Sequence, residues 1–165
     1  MTTPQPLHPA VREAVSTADW TTGARLVTEY AASVSTPGCF EGLSAEISNI
    51  DRVYAPPHGG LWIAWVGDEA AGCCAFRPCP DADHVNACEM KRLYVPHTFR
   101  GLGVGRALVE AVLQAARLSG YSCVLLDTLH EMEAARSLYE DMGFVEIPPY
   151  VQTPLPGAHH LKVIL

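Results

Sequence analysis

Residues 88–118, CEMKRLYVPHTFRGLGVGRALVEAVLQAARL, join three kinds of local structure in one short segment. Residues 87–95 are rich in β-branched, aromatic and long side chains, which predicts a β-strand that ends at Pro96. From Val104 onward, apolar residues recur at helical spacing, which predicts an amphipathic helix. The predicted buried face of this helix consists of Val104, Leu108, Ala111, Ala115 and Leu118. The segment therefore predicts a strand, a sharp turn and a helix.

The turn between strand and helix, residues 100–105, alternates three glycines with larger residues. Glycine lets the backbone curl tightly with its amide hydrogens directed into one hollow. The first turn of the following helix adds unpaired N–H groups and the positive end of the helix dipole. Such a turn is typical of a binding site for a phosphate or pyrophosphate group.

The charge around this turn favours an anionic ligand. The chain carries 11 Lys and Arg against 18 Asp and Glu, a net charge of −7. Residues 91–117 nevertheless contain five basic residues and one acidic residue, which suggests a specific anion. Two familiar phosphate motifs do not fit: GxGxxG needs glycine where the chain has Arg106 or Leu108, and the Gly-Lys-Ser/Thr ending of a P-loop is missing. A tight turn without a ligand is the alternative.

Size and composition predict one α/β domain. The 165 residues, 48% of them hydrophobic, are enough for a single domain with a sizeable core. We expect residues 1–10 to be flexible and residues 11–165 to form the domain. The first ten residues lack the basic and apolar parts of a signal peptide, and no apolar run is long enough to span a bilayer. An acidic chain with no basic stripe outside the glycine turn argues against nucleic acid as a partner.

The cysteines and the acidic residues near position 83 do not predict a metal centre. The six cysteines include no CxxC pair and lie mostly in apolar stretches, as small hydrophobic residues do in a reducing compartment. The spacing of Asp81, Asp83 and His84 fits no standard metal site. We therefore expect no metal, no membrane contact and a cytoplasmic location.

The remaining sequence predicts further elements on both sides of the central segment. Ser16 and Asp19 form a capping-box-like start for the first helix, and residues 67–69 form a hairpin turn. The predicted helices cover residues 18–32, 40–50 and 131–142. The predicted strands cover residues 11–15, 61–66, 71–76, 121–126, 144–147 and 160–165. The strand–helix–strand unit at residues 87–126 should form a right-handed parallel crossover.

The motif Arg100-x-x-Gly103-x-Gly105 after a strand resembles the acetyl-CoA signature of the GNAT family of N-acetyltransferases, Gln/Arg-x-x-Gly-x-Gly/Ala. A second segment is similar to the family's Asn-x-x-Ala-x-x-Leu-Tyr…Gly-Phe pattern and reads Met132-x-x-Ala135-x-x-Leu138-Tyr139, then Gly143-Phe144. At Met132 a thioether replaces the amide of that pattern. The hairpin at residues 67–74 also resembles the family's hairpin, so the resemblance spans about residues 11–147.

The resemblance implies a fold and a cosubstrate. The implied fold is a mixed, mostly antiparallel central sheet flanked by helices, in which the strands at residues 87–95 and 121–126 splay apart to hold acetyl-CoA. The residues expected to contact acetyl-CoA are Leu93, Tyr94, Val95, Arg100, Gly101, Leu102, Gly103, Val104, Gly105, Arg106, Met132 and Ala135. Family members are commonly dimers, so a homodimer is an expected assembly.

Acetyl transfer to an amine needs a general base, because a free alkylamine has a pKa of roughly 10 and the attacking nitrogen must be neutral. Glu89 matches the strand position of a base glutamate in similar family members. By alternation along the strand, it should share a face with Ala87, Lys91, Leu93 and Val95. A backbone N–H near Leu93 would stabilise the charge that develops on the carbonyl oxygen. Tyr139 would donate a proton to the departing thiolate.

Each role has an alternative. Glu89 is alternatively a structural partner of Lys91 or Arg92, and Tyr139 is alternatively a packing residue of the core. His97, which precedes the glycine turn, is an alternative base.

The leading hypothesis is an acetyl-CoA-dependent N-acetyltransferase that acts on a primary amine of a small molecule. A protein or peptide is the rival acceptor. A regulatory module that binds acetyl-CoA without turnover is the alternative outside the enzymes, although such a module has no need of both Glu89 and Tyr139. Four acidic residues of the first two helices either attract a cationic amine or form a solvated face: Glu29, Glu41, Glu46 and Asp51.

Overall fold

The computed structural model describes residues 8–80 and 83–165, which form a seven-stranded sheet of order β1-β2-β3-β4-β5-β7-β6 with helices on both faces. The strands are β1 (Ala10–Glu13), β2 (Gly60–Val66), β3 (Glu69–Pro78), β4 (Ala87–Tyr94), β5 (Cys123–Leu129), β6 (Val145–Ile147) and β7 (Ala158–Ile164). The helices are α1 (Thr17–Ser33), α2 (Leu43–Ser48), α3 (Ile50–Val53), α4 (Val104–Leu118) and α5 (Glu133–Asp141). Residues 1–7 of the expected flexible terminus, and Asp81, lie outside the described residues.

The helices before the sheet show where local signals succeed and fail. The Asp19 N–H donates to Ser16 Oγ at 3.1 Å and the Ser16 N–H donates to Asp19 Oδ2 at 3.0 Å, which confirms the capping box. The helix predicted at residues 40–50 is instead two short helices, α2 and α3, that meet at Asn49. The Asn49 side chain donates to the Ala45 carbonyl at 3.0 Å, a local bond that competes with helix continuation.

The sheet separates two layers of core. Helices α4 and α5 cover one face, which we call the α4 face. Helices α1, α2 and α3 cover β2, β3 and β4 on the opposite face, which we call the α1 face. Residues 148–157 approach β5 on the α1 face, where Tyr150 packs against a small cluster of Ala87, Cys123 and Leu125. Among the described residues, no helix is long and apolar enough to cross a membrane.

Helix α4 has the predicted bounds but a different buried face. Its buried residues are Val104, Leu108, Val109, Val112 and Ala116. Leu118 is 79% exposed, so the predicted face is wrong in its second half. The helix has two neighbouring apolar stripes, one that contains Ala111 and Ala115 and one that contains Val109 and Val112. Packing the valines against the sheet buries more apolar area than packing the alanines there.

In the described sheet, neighbouring strands run antiparallel except β4 and β5, which α4 connects in parallel as predicted. Their register is short and pairs Ala87 with Cys123, Cys88 with Val124, and Glu89 with Leu125. Beyond Glu89 the two strands separate, which confirms the predicted splay. Strand β5 ends later than the predicted strand at residues 121–126, because β7 pairs with it as far as Leu129.

Strand β4 contains a bulge opposite β3. Lys91 opposes Ala75 and Tyr94 opposes Cys73, so three steps along β4 match two steps along β3. Within this interval Arg92 has a φ of +62°, in the left-handed region. The strand therefore holds one residue more than regular pairing requires.

This bulge corrects the face assignment made by alternation. Glu89 lies between Cys88 and Met90, which both pack on the α4 face, and so Glu89 points to the α1 face. Leu93 and Val95, which follow the bulge, pack on the α4 face. The prediction that Glu89 shares a face with Leu93 and Val95 is wrong, because one extra residue reverses the alternation of the side chains after it.

Candidate active site

The candidate site is the opening in the sheet where β4 and β5 separate. Pairing between the described residues of these strands ends at Glu89 and Leu125, so the backbone of β4 beyond that point no longer meets β5. Lys91 of β4 and Asp127 of β5 follow on the α1 face, with 3.7 Å between Nζ and Oδ1. This ion pair spans the gap. An elongated ligand can lie between the strands and satisfy their unpaired backbone groups.

On the α4 face, the glycine turn presents backbone amides at the start of α4. Gly101 and Gly103 have φ values of +80° and +78°, which residues with a Cβ atom rarely adopt. A Cβ atom at either position would meet no atom within 4 Å, so the requirement for glycine is conformational. Gly103 caps the helix without a side chain, and the first N–H groups of α4 have no intrahelical partner. The turn suits an anion such as a phosphate.

The arginines of the turn make contacts within the protein. The Arg100 Nε–H donates to the Val95 carbonyl at 3.1 Å and closes the turn. An Arg106 guanidinium nitrogen lies 3.5 Å from an Asp141 oxygen of α5, and both side chains are exposed. These contacts hold the turn in place and leave two positive charges at its surface.

The other residues of the turn differ in their surroundings. A Cβ atom at Gly105 would lie 3.4 Å from a Leu138 methyl group, an ordinary van der Waals contact, so the packing of α4 on α5 leaves room for a methyl group here. Val104, the first residue of α4, is buried, whereas Leu102 is exposed. Contacts of these residues and of the two arginines with acetyl-CoA stay predictions.

Met132 stands at the start of α5, close to the end of the opening. Its sulfur accepts hydrogen bonds from the Tyr30 hydroxyl at 3.5 Å and the Thr128 hydroxyl at 3.7 Å. A thioether accepts weakly and cannot donate, so Met132 cannot replace the donor function of an asparagine amide. Tyr94 stacks on Tyr30 with ring centroids 5.5 Å apart, and Ala135 packs into the core of the α4 face. Their predicted contacts with acetyl-CoA are untested.

Glu89 lies at the last paired position before the opening and is 8% exposed. The Tyr150 hydroxyl donates to its Oε1 at 3.0 Å. Lys91 Nζ lies 3.4 Å from Oε1, and Arg77 Nε lies 3.6 Å from Oε2. One carboxylate is thus surrounded by a hydrogen-bond donor and two cations from three different segments.

Two of these partners were not predicted. Arg77 is directly opposite Glu89 in the register of β3 and β4, a relation that follows once both strands are extended to their true ends. Tyr150 lies in a Pro/Gly-containing loop, and no local pattern in the sequence points to it. Burial, and then the charge of Glu89, raise the pKa of Tyr150 far above its usual value, so the hydroxyl stays protonated and donates.

Arg92 is not a partner of Glu89. Its guanidinium forms two hydrogen bonds with the Glu46 carboxylate, at 2.8 and 2.9 Å, and both side chains are only 10% exposed. Of the two structural partners considered for Glu89, Lys91 is therefore present and Arg92 is not. Glu29 forms an ion pair with Arg25 on the surface of α1. Glu29 and Glu46 are thus engaged by arginines instead of facing solvent alone.

Tyr139 is 6% exposed and packs against Phe144 with ring centroids 5.6 Å apart. Burial raises the pKa of its hydroxyl well above the usual value, and charges on Cys74, Tyr30 and Asp127 raise it further. The Tyr139 ring belongs to the core of the α4 face, and its hydroxyl stays protonated.

The histidines are distributed unequally around the site. His97 is exposed in the turn that follows β4. His160 of β7 is buried opposite Asp127, and its ring meets the Tyr150 ring edge-on with centroids 5.3 Å apart. Burial lowers the pKa of His160, which favours the neutral ring.

Within residues 8–80 and 83–165, no group of three or more His, Cys, Asp or Glu side chains could hold a metal ion.

Sequence comparisons identify a family and relatives of this chain. The model of the acetyltransferase (GNAT) family matches residues 26–144. An uncharacterized N-acetyltransferase of Schizosaccharomyces pombe is 37% identical over 141 residues, which cover 84% of this chain and 83% of that protein. N-acetylaspartate synthetase of Danio rerio is 33% identical over 116 residues, 70% of this chain and 40% of that protein. The chain thus spans most of the first relative and less than half of the second.

A structural comparison agrees on the fold. The crystal structure of a Bacillus subtilis acetyltransferase in complex with CoA superposes with a TM-score of 0.67 at 17% identity, over 95% of this chain and 99% of that one. The chain belongs to the GNAT family of acetyltransferases. It is an acyltransferase whose cosubstrate is acetyl-CoA, and the matched segment contains Glu89, the glycine turn and Tyr139.

Proposed function

We propose that this acetyltransferase moves the acetyl group of acetyl-CoA to a primary amine of a small molecule. The observation that carries the proposal is Glu89, a buried carboxylate at the mouth of the opening between β4 and β5. Its neighbours Arg77 and Lys91 line a cavity of about 420 Å³, a volume typical of small-molecule sites. The name of the N-acetylaspartate synthetase relative, which describes a small-molecule product, supports the same acceptor class.

In this proposal the pyrophosphate of acetyl-CoA binds on the α4 face of the sheet, and the acceptor amine binds on the α1 face. The glycine turn and the first N–H groups of α4 receive the pyrophosphate of acetyl-CoA, because they combine unpaired donors with the positive helix end. The pantetheine arm passes between β4 and β5 and bonds to the backbone groups that the splay leaves unpaired. The thioester then emerges on the α1 face, where Glu89 lies.

In the proposed reaction, Glu89 accepts a proton from the ammonium group, directly or through water. The neutral nitrogen attacks the thioester carbon, and a backbone N–H near Leu93 donates to the oxygen that gains negative charge. The carbon–sulfur bond breaks as the carbonyl re-forms. Tyr139 donates its proton to the departing thiolate, and the second proton of the attached nitrogen passes through water to the resulting tyrosinate. The products are the acetylated amine and CoA, and the first proton leaves Glu89 for solvent.

The experiment measures thiol release from acetyl-CoA with amines, amino acids and peptides as acceptors. Small amines should be acetylated faster than peptides. Stabilisation by acetyl-CoA without release of thiol from any acceptor would instead favour the regulatory module.

The role of Glu89 is tested by Glu89→Gln, which keeps the shape of the side chain and removes its basic oxygen. We expect kcat/KM to fall by about 10²–10⁴-fold at neutral pH, with partial recovery at high pH where the free amine is already neutral. Glu110→Gln, on the exposed side of α4, is the matched control and should leave the pH–rate profile unchanged. An unchanged profile in Glu89→Gln would transfer the role to His97 or to water.

A further inference from the structure

The cavity beside Glu89 is lined by an unusual set of charged groups. Residues 38–53 form one wall, and side chains from β3 and β4 form the other. Its charged lining consists of Glu41, Glu46, Arg77, Lys91 and Arg92. The wall thus contains three cations, Arg77, Lys91 and Arg92. They differ in how closely they are paired with anions of the protein.

Arg92 is fully occupied within the protein. Its two hydrogen bonds to Glu46 are short, and its guanidinium also lies 5.2 Å from the centre of the Phe40 ring. Both carboxylate oxygens of Glu46 take part in this pair. The pair holds α2 against β4 and forms a finished wall of the cavity.

Arg77 and Lys91 are held much more loosely. Their contacts with Glu89, at 3.6 and 3.4 Å, exceed the usual range of a hydrogen bond. The contact of Lys91 with Asp127, at 3.7 Å, is longer still. The Arg77 side chain is 35% exposed, and a guanidinium carries five N–H donors. Both cations therefore keep donors that a ligand in the cavity can engage.

We infer that the acceptor is an amino acid whose carboxylate binds to Arg77 and Lys91 while its amine lies against Glu89. This inference rests on the proposed function and names its acceptor class. Arg77 and Lys91 both approach the same Glu89 carboxylate, so an anion bound to them lies next to Glu89. The amine must also reach Glu89. Amine and carboxylate are therefore close together in the acceptor, as in an α- or β-amino acid.

The proton transfer gives this carboxylate a second function. When Glu89 accepts the proton of the ammonium group, it becomes neutral, so Arg77 loses its negative partner and Lys91 keeps only Asp127. A carboxylate on the acceptor supplies a replacement charge at that moment. Asp127, which is 34% exposed on the opposite side of the opening, is placed to attract the ammonium group before the proton moves.

The test compares each amino acid with its own carboxamide and with its decarboxylated amine, at fixed acetyl-CoA, by thiol release. The carboxamide has the same size and a more readily deprotonated amine, so intrinsic reactivity favours it over the acid. We expect kcat/KM to be about 10- to 100-fold higher for the acid, the usual gain from charge-assisted hydrogen bonds.

Arg77→Gln should bring the ratio of acid to carboxamide close to one, chiefly through a higher KM for the acid. Lys91→Gln is the second variant, in case Arg77→Gln does not fold. Arg52→Gln, the same change at an exposed arginine of α3, is the matched control and should keep the wild-type ratio. Amino acids should also raise the Tm of the CoA complex more than their carboxamides do.

The outcomes separate this inference from the proposed function. Carboxamides or decarboxylated amines that react as well as the acids would overturn the carboxylate site and leave the acetyltransferase activity intact. A ratio that neither Arg77→Gln nor Lys91→Gln changes would do the same. If none of the amines releases thiol, the acceptor class and the proposed function both fail.

Discussion

The two sides of the opening in the sheet are built by different means. On the α4 face, the candidate cofactor site is made of backbone, and Gly101 and Gly103 lie within three residues of one another. On the α1 face, Glu89 is surrounded by side chains from distant positions, Arg77 on the preceding strand and Tyr150 in a loop 61 residues later. The first site is local in sequence, whereas the second exists only after the sheet has formed.

This difference teaches what each site tolerates. A backbone site depends on dihedral angles, so a change of side chain affects it mainly where φ is positive. A side-chain site depends on charge balance, so substitutions that keep the fold can still change its ligand. Variants on the two faces should therefore separate cosubstrate binding, catalysis and acceptor binding.

The largest effect is expected from Gly103→Val on the α4 face. A β-branched residue cannot adopt the φ of +78° without strain, and the amides of the turn should move away from the phosphate site. We expect the acetyl-CoA-induced rise in Tm, and with it the activity, to be lost.

Gly120→Val is the matched control, because Gly120 also has a positive φ, +87°, and a Cβ atom added there would also meet no atom within 4 Å. Gly120 lies just beyond the other end of α4. Both variants should be destabilised by about 1–3 kcal/mol, but Gly120→Val should keep the shift with acetyl-CoA. A full shift in folded Gly103→Val would contradict the assignment of the turn.

A smaller effect is expected from Tyr139→Phe, which tests the group that we propose to protonate the leaving thiolate. If the hydroxyl protonates the leaving thiolate, kcat should fall by about 10²-fold, while the acetyl-CoA shift in Tm stays the same. The rate must be measured where chemistry limits it.

Tyr121→Phe supplies the comparison for Tyr139→Phe. It removes a hydroxyl that donates to the His58 carbonyl at 2.6 Å, so it should lower Tm and leave kcat unchanged. Wild-type kcat in Tyr139→Phe would make Tyr139 a packing residue alone.

The smallest effect is expected from Glu46→Gln on the α1 face. The change removes the negative charge that pairs with Arg92 and should lower the free energy of unfolding by about 1–3 kcal/mol. The KM for the acceptor should rise, because the wall of the cavity loosens, while acetyl-CoA binding is unchanged. Glu29→Gln, in an exposed ion pair, should change stability by less than about 1 kcal/mol. If Glu46→Gln weakened the binding of acetyl-CoA as much as it raised the KM for the acceptor, the assignment of the two substrates to different faces of the sheet would be contradicted.

Much of the fold could be predicted because its signals are local. The capping box at Ser16, the bounds of α4 and the parallel crossover all depend on residues close in sequence, and the structure has all three. The glycine turn also follows this rule, since its conformation needs no distant contact. The family pattern added Tyr139 and Glu89, whose positions the structure now defines while their roles stay predictions.

The parts that sequence reasoning missed depend on pairing between distant segments. The later end of β5 follows from its partner β7, and the position of Arg77 follows from the register of β3 and β4. The contact of Tyr150 with Glu89 has no local signal. The buried face of α4 was mistaken because two apolar stripes compete on one helix, and only the sheet decides between them.

The bulge at Arg92 has a consequence for how the length of this chain can vary. Before the bulge, Lys91 points to the charged cavity, and after it Leu93 and Val95 point to the apolar core. The bulge places Lys91 and Arg92 consecutively on the α1 face, so deleting Arg92 would leave regular alternation from Lys91 onward, with Leu93 and Val95 still on the α4 face. Such a deletion would remove the cation that binds Glu46. Strand β4 can therefore lose this one residue without exchanging the linings of the two compartments, but one wall of the cavity would lose its ion pair.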